Sequence, residues 1–242
     1  MRIIAIINHK GGVGKTTTTH NLGKALSLLG KKVLLIDIDP QANLSVACGV
    51  ENPEKSIANS LLDNDALSVI NIDKNLDLVP ATLELSEVEF KIQTNVTGTH
   101  KLKKALSKVK DFDFVLIDCP PSLGILTTNA LMACSEVIIV MQPQYFSVLG
   151  LKTIKTLITT LQEDLGINIK ITGILATQTN NTIISKNFVQ DLAEASGERV
   201  FETNIRQTVT FQEASALQKD VFAYAAESKA SEDYLNLAKE LL

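Results

Sequence analysis

The clearest structural signal in the chain is Arg2-Ile3-Ile4-Ala5-Ile6-Ile7-Asn8, which continues as His9-Lys10-Gly11-Gly12-Val13-Gly14-Lys15-Thr16-Thr17. The first part is a continuous apolar run, which is typical of a strand that is buried on both faces of a sheet. The second part is rich in glycine. Apolar residues then recur at helical spacing, at positions 22, 25, 26 and 29. The sequence therefore predicts a strand, a glycine-rich loop and a helix in direct succession.

Strand-like and helical segments alternate along the rest of the chain. Five further apolar runs are predicted as strands: residues 32–37, 76–80, 112–118, 136–142 and 170–177. Helices are predicted over residues 102–109 and 154–161, around residues 187–195 after a polar loop at 180–186, and over 231–242. This alternation predicts one α/β domain over residues 1–242, with a mostly parallel central sheet that is flanked by helices on both faces.

Length and composition argue against several classes of protein. The chain has 242 residues, of which 45% are hydrophobic and 21% charged, so we expect a sizeable core. No apolar run reaches the roughly 18 residues of a membrane span, and no signal peptide precedes the first strand, so we expect a cytoplasmic protein without a membrane partner. Cys48, Cys119 and Cys134 are too few for a disulfide framework. The net charge of −4 argues against binding nucleic acid by bulk charge but permits a local basic face.

The glycine-rich loop has the composition of a phosphate-binding loop. Glycines let the backbone curl so that N–H groups point at one anion, and the following helix adds the positive end of its dipole. Lys15 is expected to contact the β- and γ-phosphates, Thr16 to bind Mg²⁺, and Thr17 to donate to the α-phosphate. The predicted nucleotide-binding residues of the loop are therefore Lys10, Gly11, Gly12, Val13, Gly14, Lys15, Thr16 and Thr17.

One departure from the common loop pattern is informative. His9 stands where GxxxxGK[ST] has its first glycine, and Lys10-Gly11-Gly12-Val13-Gly14-Lys15-Thr16 resembles the deviant Walker A motif of the ParA/MinD family of ATPases. The resemblance implies a P-loop NTPase fold with ATP and Mg²⁺ as cofactors. It also implies that Lys10 reaches across a dimer interface to the phosphates of the partner's nucleotide. Lys10 and Lys15 are accordingly predicted as catalytic.

Two acidic motifs follow in the order expected for such an ATPase. Asp37-Ile38-Asp39-Pro40-Gln41-Ala42-Asn43 resembles the family's switch I, which implies that Asp39 orients or activates the attacking water, while Asp37 could instead support the Mg²⁺ shell. Asp118 follows four apolar residues in a Walker B pattern, at the strand end where open α/β sheets bind ligands. The next residues, Cys119-Pro120-Pro121-Ser122, resemble switch II. The predicted metal site consists of Thr16, Asp39 and Asp118.

The resemblance extends over nearly the whole chain, including residues 142–150 and 203–214. It implies that Arg206 and Thr208 contact the adenine base, and it places Thr210 where the family often has a basic residue that contributes to DNA binding. The match is best with the short ParA type, which lacks an N-terminal helix-turn-helix. We therefore predict a partition ATPase that dimerises on ATP, binds non-specific DNA and is released by a ParB-like partner. Candidate DNA contacts are Lys152, Lys155, Lys186, Arg199, Arg206 and Lys219.

Three alternatives stay open in the sequence. A MinD-like membrane ATPase would need a basic C-terminal amphipathic helix, whereas residues 231–242 hold three acidic residues and one lysine. An iron–sulfur reductase would need paired cysteines, and neither Cys119 nor Cys134 lies in a redox motif. A ParA-like positioner of cargo other than DNA would use the same ATPase cycle and has no distinguishing motif.

Overall fold

The computed structural model describes residues 1–63, 65–143, 147–180, 192, 194 and 196–242, with only the backbone of 147–149. The predicted polar loop before residue 187 and the predicted helix at 187–195 fall largely outside these ranges.

The core of the fold is a seven-stranded sheet. Its strands are β1 (Arg2–Ile7), β2 (Val33–Asp37), β3 (Ile70–Asp73), β4 (Leu76–Val79), β5 (Phe114–Asp118), β6 (Glu136–Met141) and β7 (Lys170–Ala176). Their spatial order is β3-β4-β2-β5-β1-β6-β7, and all neighbouring pairs are parallel except β3 with β4. The predicted α/β class with a mostly parallel sheet is confirmed. The antiparallel edge strand β3 was not predicted.

Helices cover both faces of the sheet, as predicted. They are α1 (Lys15–Leu28), α2 (Asn43–Ala47), α3 (Ile57–Asp63), α4 (Leu85–Gln93), α5 (Lys101–Leu106), α6 (Ile125–Ala133), α7 (Ser147–Leu165), α8 (Thr210–Ala216), α9 (Val221–Ala225) and α10 (Lys229–Leu241). The last helix begins two residues earlier than predicted because the side chain of Ser228 accepts from the backbone N–H of Ser231 and caps it. Among the described residues, no helix combines the length and apolarity needed to cross a membrane.

Two hydrophobic clusters lie on opposite faces of the sheet. Successive residues of β1 alternate between them: Ala5 and Ile7 pack with α3–α7, whereas Ile4 and Ile6 pack with α1 and α10. Both sets are fully or almost fully buried, which explains the continuous apolar run of this central strand.

The parallel register brings three loops to one edge of the sheet. Ile6 of β1 and Asp37 of β2 both lie opposite Asp118 of β5. The carboxyl ends of these strands are therefore neighbours, and the segments that follow them meet at the edge where open α/β sheets bind ligands.

Candidate functional site

The glycine-rich loop joins the end of β1 to the first residue of α1. Gly12 has φ of +74° and Gly14 has φ of +91°, a left-handed region that residues with a Cβ rarely adopt. Gly14 immediately precedes α1, so this turn delivers Lys15 and Thr16 into the first turn of the helix. The loop therefore requires glycine at these two positions for backbone reasons alone.

Side chains that follow β6 and β7 donate hydrogen bonds to backbone carbonyls of the loop. The Thr177 hydroxyl donates to the carbonyl oxygen of Val13 at 2.7 Å. The side-chain amides of Gln142 and Gln178 donate to the carbonyl of Gly12 at 3.0 and 2.7 Å. These two carbonyl oxygens already have donors, whereas backbone N–H groups of a glycine-rich loop are the groups that bind phosphate. No sequence motif indicated these supporting residues.

The two predicted lysines have different surroundings. Lys15 is only 7% exposed, and its Nζ donates to the carbonyl oxygen of Lys10 at 3.2 Å. Burial lowers the pKa of the Lys15 amine, and the charge of Asp118 opposes that shift. Lys10 is exposed, and its backbone N–H donates to the side-chain oxygen of Asn8 at 2.9 Å. One lysine thus lies inside the loop, and the other lies on its outer surface.

Asp118 connects the end of β5 to the glycine-rich loop. The Thr16 hydroxyl donates to its Oδ2 at 2.7 Å, and the Thr19 hydroxyl lies 3.4 Å from its Oδ1. Complete burial and the nearby Asp37 raise the pKa of Asp118 well above its usual range, although Thr16 and Lys15 act in the opposite direction. The structure therefore brings the predicted Walker B acid into direct contact with the predicted loop threonine.

The oxygen donors at this edge fit a partly protein-bound Mg²⁺ ion. Thr16 and Asp118 present a hydroxyl and a carboxylate within 2.7 Å of each other, and hard oxygen ligands are what Mg²⁺ prefers. In the part of the chain that the structure describes, no three His, Cys, Asp or Glu side chains form a metal-binding group by themselves. Mg²⁺ characteristically takes one or two protein ligands and completes its shell with phosphate oxygens and water.

The two aspartates of the predicted switch I have separate tasks. Asp37 is fully buried, and its Oδ2 accepts from both the backbone N–H and the hydroxyl of Ser45, at 2.9 and 2.7 Å. Its Oδ1 accepts from the N–H of Asp39 at 3.1 Å, and burial raises the pKa of Asp37 to about 6. Asp39 accepts from the N–H of Gln41 at 2.9 Å. Because the oxygens of Asp37 are used by protein donors, Asp37 shapes the turn that carries Asp39.

A further acidic residue, Glu89 of α4, lies beside these segments. Burial and the charge of Asp39 raise the pKa of Glu89. Its Oε1 would lie 3.2 Å from a Cβ built on Gly124, in the segment after β5. Glu89 thus sits between the predicted switch I and switch II. Nothing in the local sequence singles it out.

A cavity of about 300 Å³ adjoins the loop on the side of α1 and α10. Gly14 and Thr17 of the loop and first helix line it together with Arg206 and Thr208. The Arg206 guanidinium forms two hydrogen bonds of 2.7 Å with the carboxylate of Asp233 in α10. The predicted base-side residues are therefore next to the predicted phosphate loop, with Arg206 fixed by an ion pair.

Comparison with known proteins shows the family of this chain. Residues 1–171 match the family described as AAA domain. The sporulation initiation inhibitor protein Soj of Bacillus subtilis is 38% identical, with 99% of this chain and 98% of Soj covered. The chromosome-partitioning ATPase Soj of Treponema pallidum is 36% identical, with 100% and 97% covered. The chain belongs to the ParA/MinD superfamily of partition ATPases.

A solved structure supports the same conclusion for the fold. The crystal structure described as cobyrinic acid a,c-diamide synthase from Mycobacterium smegmatis, with bound ADP and magnesium, superposes with a TM-score of 0.87. It is 31% identical and covers 99% of this chain and 93% of its own. The predicted superfamily is confirmed.

The predicted DNA contacts of this ParA/MinD-type chain fall into three groups. Three of the six are held in salt bridges: Lys155 with Glu198 at 2.6 Å, Arg199 with Glu240 at 2.9 Å, and Arg206 with Asp233 at 2.7 Å. Lys152 and Lys219 are exposed, and Lys186 lies outside the described residues. Thr210, at the position where ParA proteins often have a basic residue, places its hydroxyl 2.9 Å from that of Thr208. Much of the positive charge counted in the sequence is therefore already balanced.

The structure also bears on two of the alternatives. The apolar side of α10 is packed into the core, where Tyr234, Leu237 and Leu241 are at most 5% exposed. Cys119 and Cys134 are both buried, and they lie at opposite ends of the sheet, after β5 and before β6.

Proposed function

We propose that the protein is a Mg²⁺-dependent ParA-type ATPase that hydrolyses ATP to ADP and phosphate. In this proposal ATP closes two copies into a dimer, the dimer binds DNA without sequence preference, and a ParB-like centromere-binding partner stimulates hydrolysis and release. The observation that carries the proposal is the meeting of Lys15, Thr16, Asp39 and Asp118 at one edge of the sheet. The similarity to the chromosome-partitioning ATPase Soj of Treponema pallidum agrees with it.

Each of these four residues has a proposed role in ATP hydrolysis. The buried amine of Lys15 binds the β- and γ-phosphates, and its desolvated position strengthens that attraction. Thr16 and Asp118 hold Mg²⁺, which offsets the negative charge of the phosphates. Asp39 orients the attacking water, and its own orientation is fixed by the N–H of Gln41. The chemistry is positioning and charge stabilisation without a covalent intermediate.

Lys10 is proposed to act on the nucleotide of the second copy. Its side chain is exposed on the outer surface of the loop, whereas Lys15 is buried beneath it. A lysine supplied by a partner adds positive charge where phosphoryl transfer builds negative charge on the phosphate oxygens. Dimer closure and hydrolysis would then depend on each other.

The cellular role follows from this cycle. An ATP-bound dimer on DNA would associate with the nucleoid, and hydrolysis would return monomers to the cytoplasm. Partner-stimulated release of this kind would segregate a plasmid or a chromosome.

Light scattering and phosphate release with ATP and Mg²⁺ test the proposal. We expect Lys15→Ala to lose ATP binding, Asp39→Ala to form a lasting ATP dimer without turnover, and Lys10→Ala to bind ATP as a monomer. Lys229→Ala removes another exposed lysine, from α10, and is the matched control. Undiminished ATP affinity of Lys15→Ala, or a monomeric Asp39→Ala protein at saturating ATP, would refute the proposal.

A further inference from the structure

Residues 100–110 form the most basic segment of the chain. They contain Lys101, Lys103, Lys104, Lys108 and Lys110, and no acidic residue. These five lysines, called here the α5 lysine surface, lie along α5 and the turn that follows it. Leu102, Ala105 and Leu106 of the same segment are at most 5% exposed and pack into the core. The lysines are therefore turned outward because the apolar side of the helix is used.

Four of these five lysines are exposed and lie outside the salt bridges of the described residues: Lys103, Lys104, Lys108 and Lys110. Asp113, which follows the segment, accepts instead from the backbone N–H of Lys32 at 2.8 Å. By contrast, Lys155, Arg199 and Arg206 of the predicted DNA contacts each form a salt bridge. A row of unpaired like charges is unfavourable alone and is relieved by a polyanion.

The α5 lysine surface lies away from the nucleotide edge, which is the side of the sheet where the carboxyl ends of β1, β2 and β5 meet. The turn after α5 leads into Phe114, the first residue of β5, whereas the nucleotide edge follows the last residue of that strand. Phe114 is paired with Val33 at the start of β2. Exposed Lys32 therefore extends the basic surface along the side of the sheet where the strands begin. A ligand bound there does not compete with dimer closure over the nucleotide.

We infer that the α5 lysine surface binds the phosphate backbone of duplex DNA. This inference rests on the DNA-binding step of the proposed function and supplies its site. Lysine ammonium groups act as point charges for phosphates, and the segment has no arginine, Phe, Tyr or Trp to read or stack on bases. A helix of six residues rises about 9 Å, and the same length of duplex carries about five phosphate charges. A lipid surface fits less well, because the apolar side of α5 is buried and cannot insert.

Fluorescence anisotropy on duplexes of unrelated sequence, with the full chain, ATP and Mg²⁺, tests the inference. The test variant carries Lys103→Gln, Lys104→Gln and Lys108→Gln. The control has the same charge change at exposed lysines elsewhere: Lys170→Gln in the opposite edge strand β7, and Lys229→Gln and Lys239→Gln in α10. At about 100 mM salt we expect a loss of affinity of about tenfold or more in the test variant, and a salt slope lower by up to about three. The control should stay within about twofold of the wild-type affinity.

The outcomes separate this inference from the function on which it rests. Equal losses in the test and control variants would mean that only net charge matters, and the inference would be wrong. The test variant could keep full DNA affinity while changing Lys152 and Lys219 to Gln lowers it. That result would overturn the inference and place the DNA site on α7 and the turn after α8. A wild-type protein that dimerises on ATP but binds only vesicles containing phosphatidylglycerol would overturn both DNA proposals. Thermal unfolding and ATP-dependent dimerisation of each variant show that any loss is not misfolding.

Discussion

Replacement of Thr177 tests whether the phosphate loop is held in shape from behind. This residue directly follows β7, is 2% exposed, and donates from its hydroxyl to the carbonyl oxygen of Val13 at 2.7 Å. Thr177→Val keeps the branched shape and removes the hydroxyl. Thr177→Ser keeps the hydroxyl and removes the methyl group, which would lie 4.0 Å from a Cβ built on Gly14. The two variants therefore separate the hydrogen bond from the packing.

The expected magnitudes follow from these contacts. Removing the donor from a buried carbonyl costs about 1–3 kcal/mol, whereas removing one buried methyl group costs about 1 kcal/mol. The lost bond holds the loop itself, so in Thr177→Val the cost falls on the conformation that binds nucleotide. A tenfold change in affinity corresponds to about 1.4 kcal/mol. We expect ATP affinity to fall by at least about fivefold in Thr177→Val and to change by less than about twofold in Thr177→Ser.

Urea unfolding gives the stability of the two variants, and titration with a fluorescent ATP analogue gives their affinity. The serine variant is the control, because it carries the smaller side chain but retains the donor. If ATP affinity falls equally in both variants, packing rather than the hydrogen bond shapes the loop. If neither variant changes the affinity, the loop does not depend on β7 and the reasoning fails.

Two further contacts yield predictions. A Cβ on Gly150 would lie 1.9 Å from the His9 ring. Gly150→Ala should therefore raise the free energy of unfolding by the roughly 1 kcal/mol of alanine's helix propensity only in a protein that also carries His9→Ala. An equal gain in urea unfolding with and without His9→Ala would contradict this contact. Glu136 accepts two hydrogen bonds from Arg2, which lower its pKa, so its contribution is present above about pH 4.5 and is lost as the pH falls through the lowered value. Glu136→Gln should cost about 1 kcal/mol near pH 7 and less below pH 4, and a pH-independent difference would contradict this.

The sequence predicts the buried strands because their signal is local. Continuous apolar runs located β1, β2 and β5 to within two residues, since a strand with both faces covered needs no alternation. The edge strand β3 has no such signal. Its four residues, Ile-Asn-Ile-Asp, are alternately half-buried and exposed, and they become a strand only by pairing with β4. A segment this short is defined by its neighbour rather than by its own composition.

The same distinction applies to the site. Lys15, Thr16 and Asp118 belong to motifs whose spacing is read directly, and the structure places them together. Thr177 and Gln178 support the loop from more than 160 residues away, and only the pairing of β7 with β6, and of β6 with β1, brings them there. The sequence also does not show that Lys155, Arg199 and Arg206 form salt bridges, because their acidic partners lie 27 to 43 residues away in the chain.

The acidic groups at the nucleotide edge suggest why this region depends on its ligands. Asp37, Asp39 and Asp118 are each at most 7% exposed. Burial raises the pKa values of Asp37 and Asp118, and repulsion among the carboxylates adds a smaller contribution. Hydrogen bonds from Ser45 and Thr16 and the amine of Lys15 offset part of this repulsion. A divalent cation held between these carboxylates and a triphosphate would offset more of it. Because a ligand that binds only the folded state stabilises that state, the repulsion that weakens the edge also makes its shape responsive to nucleotide.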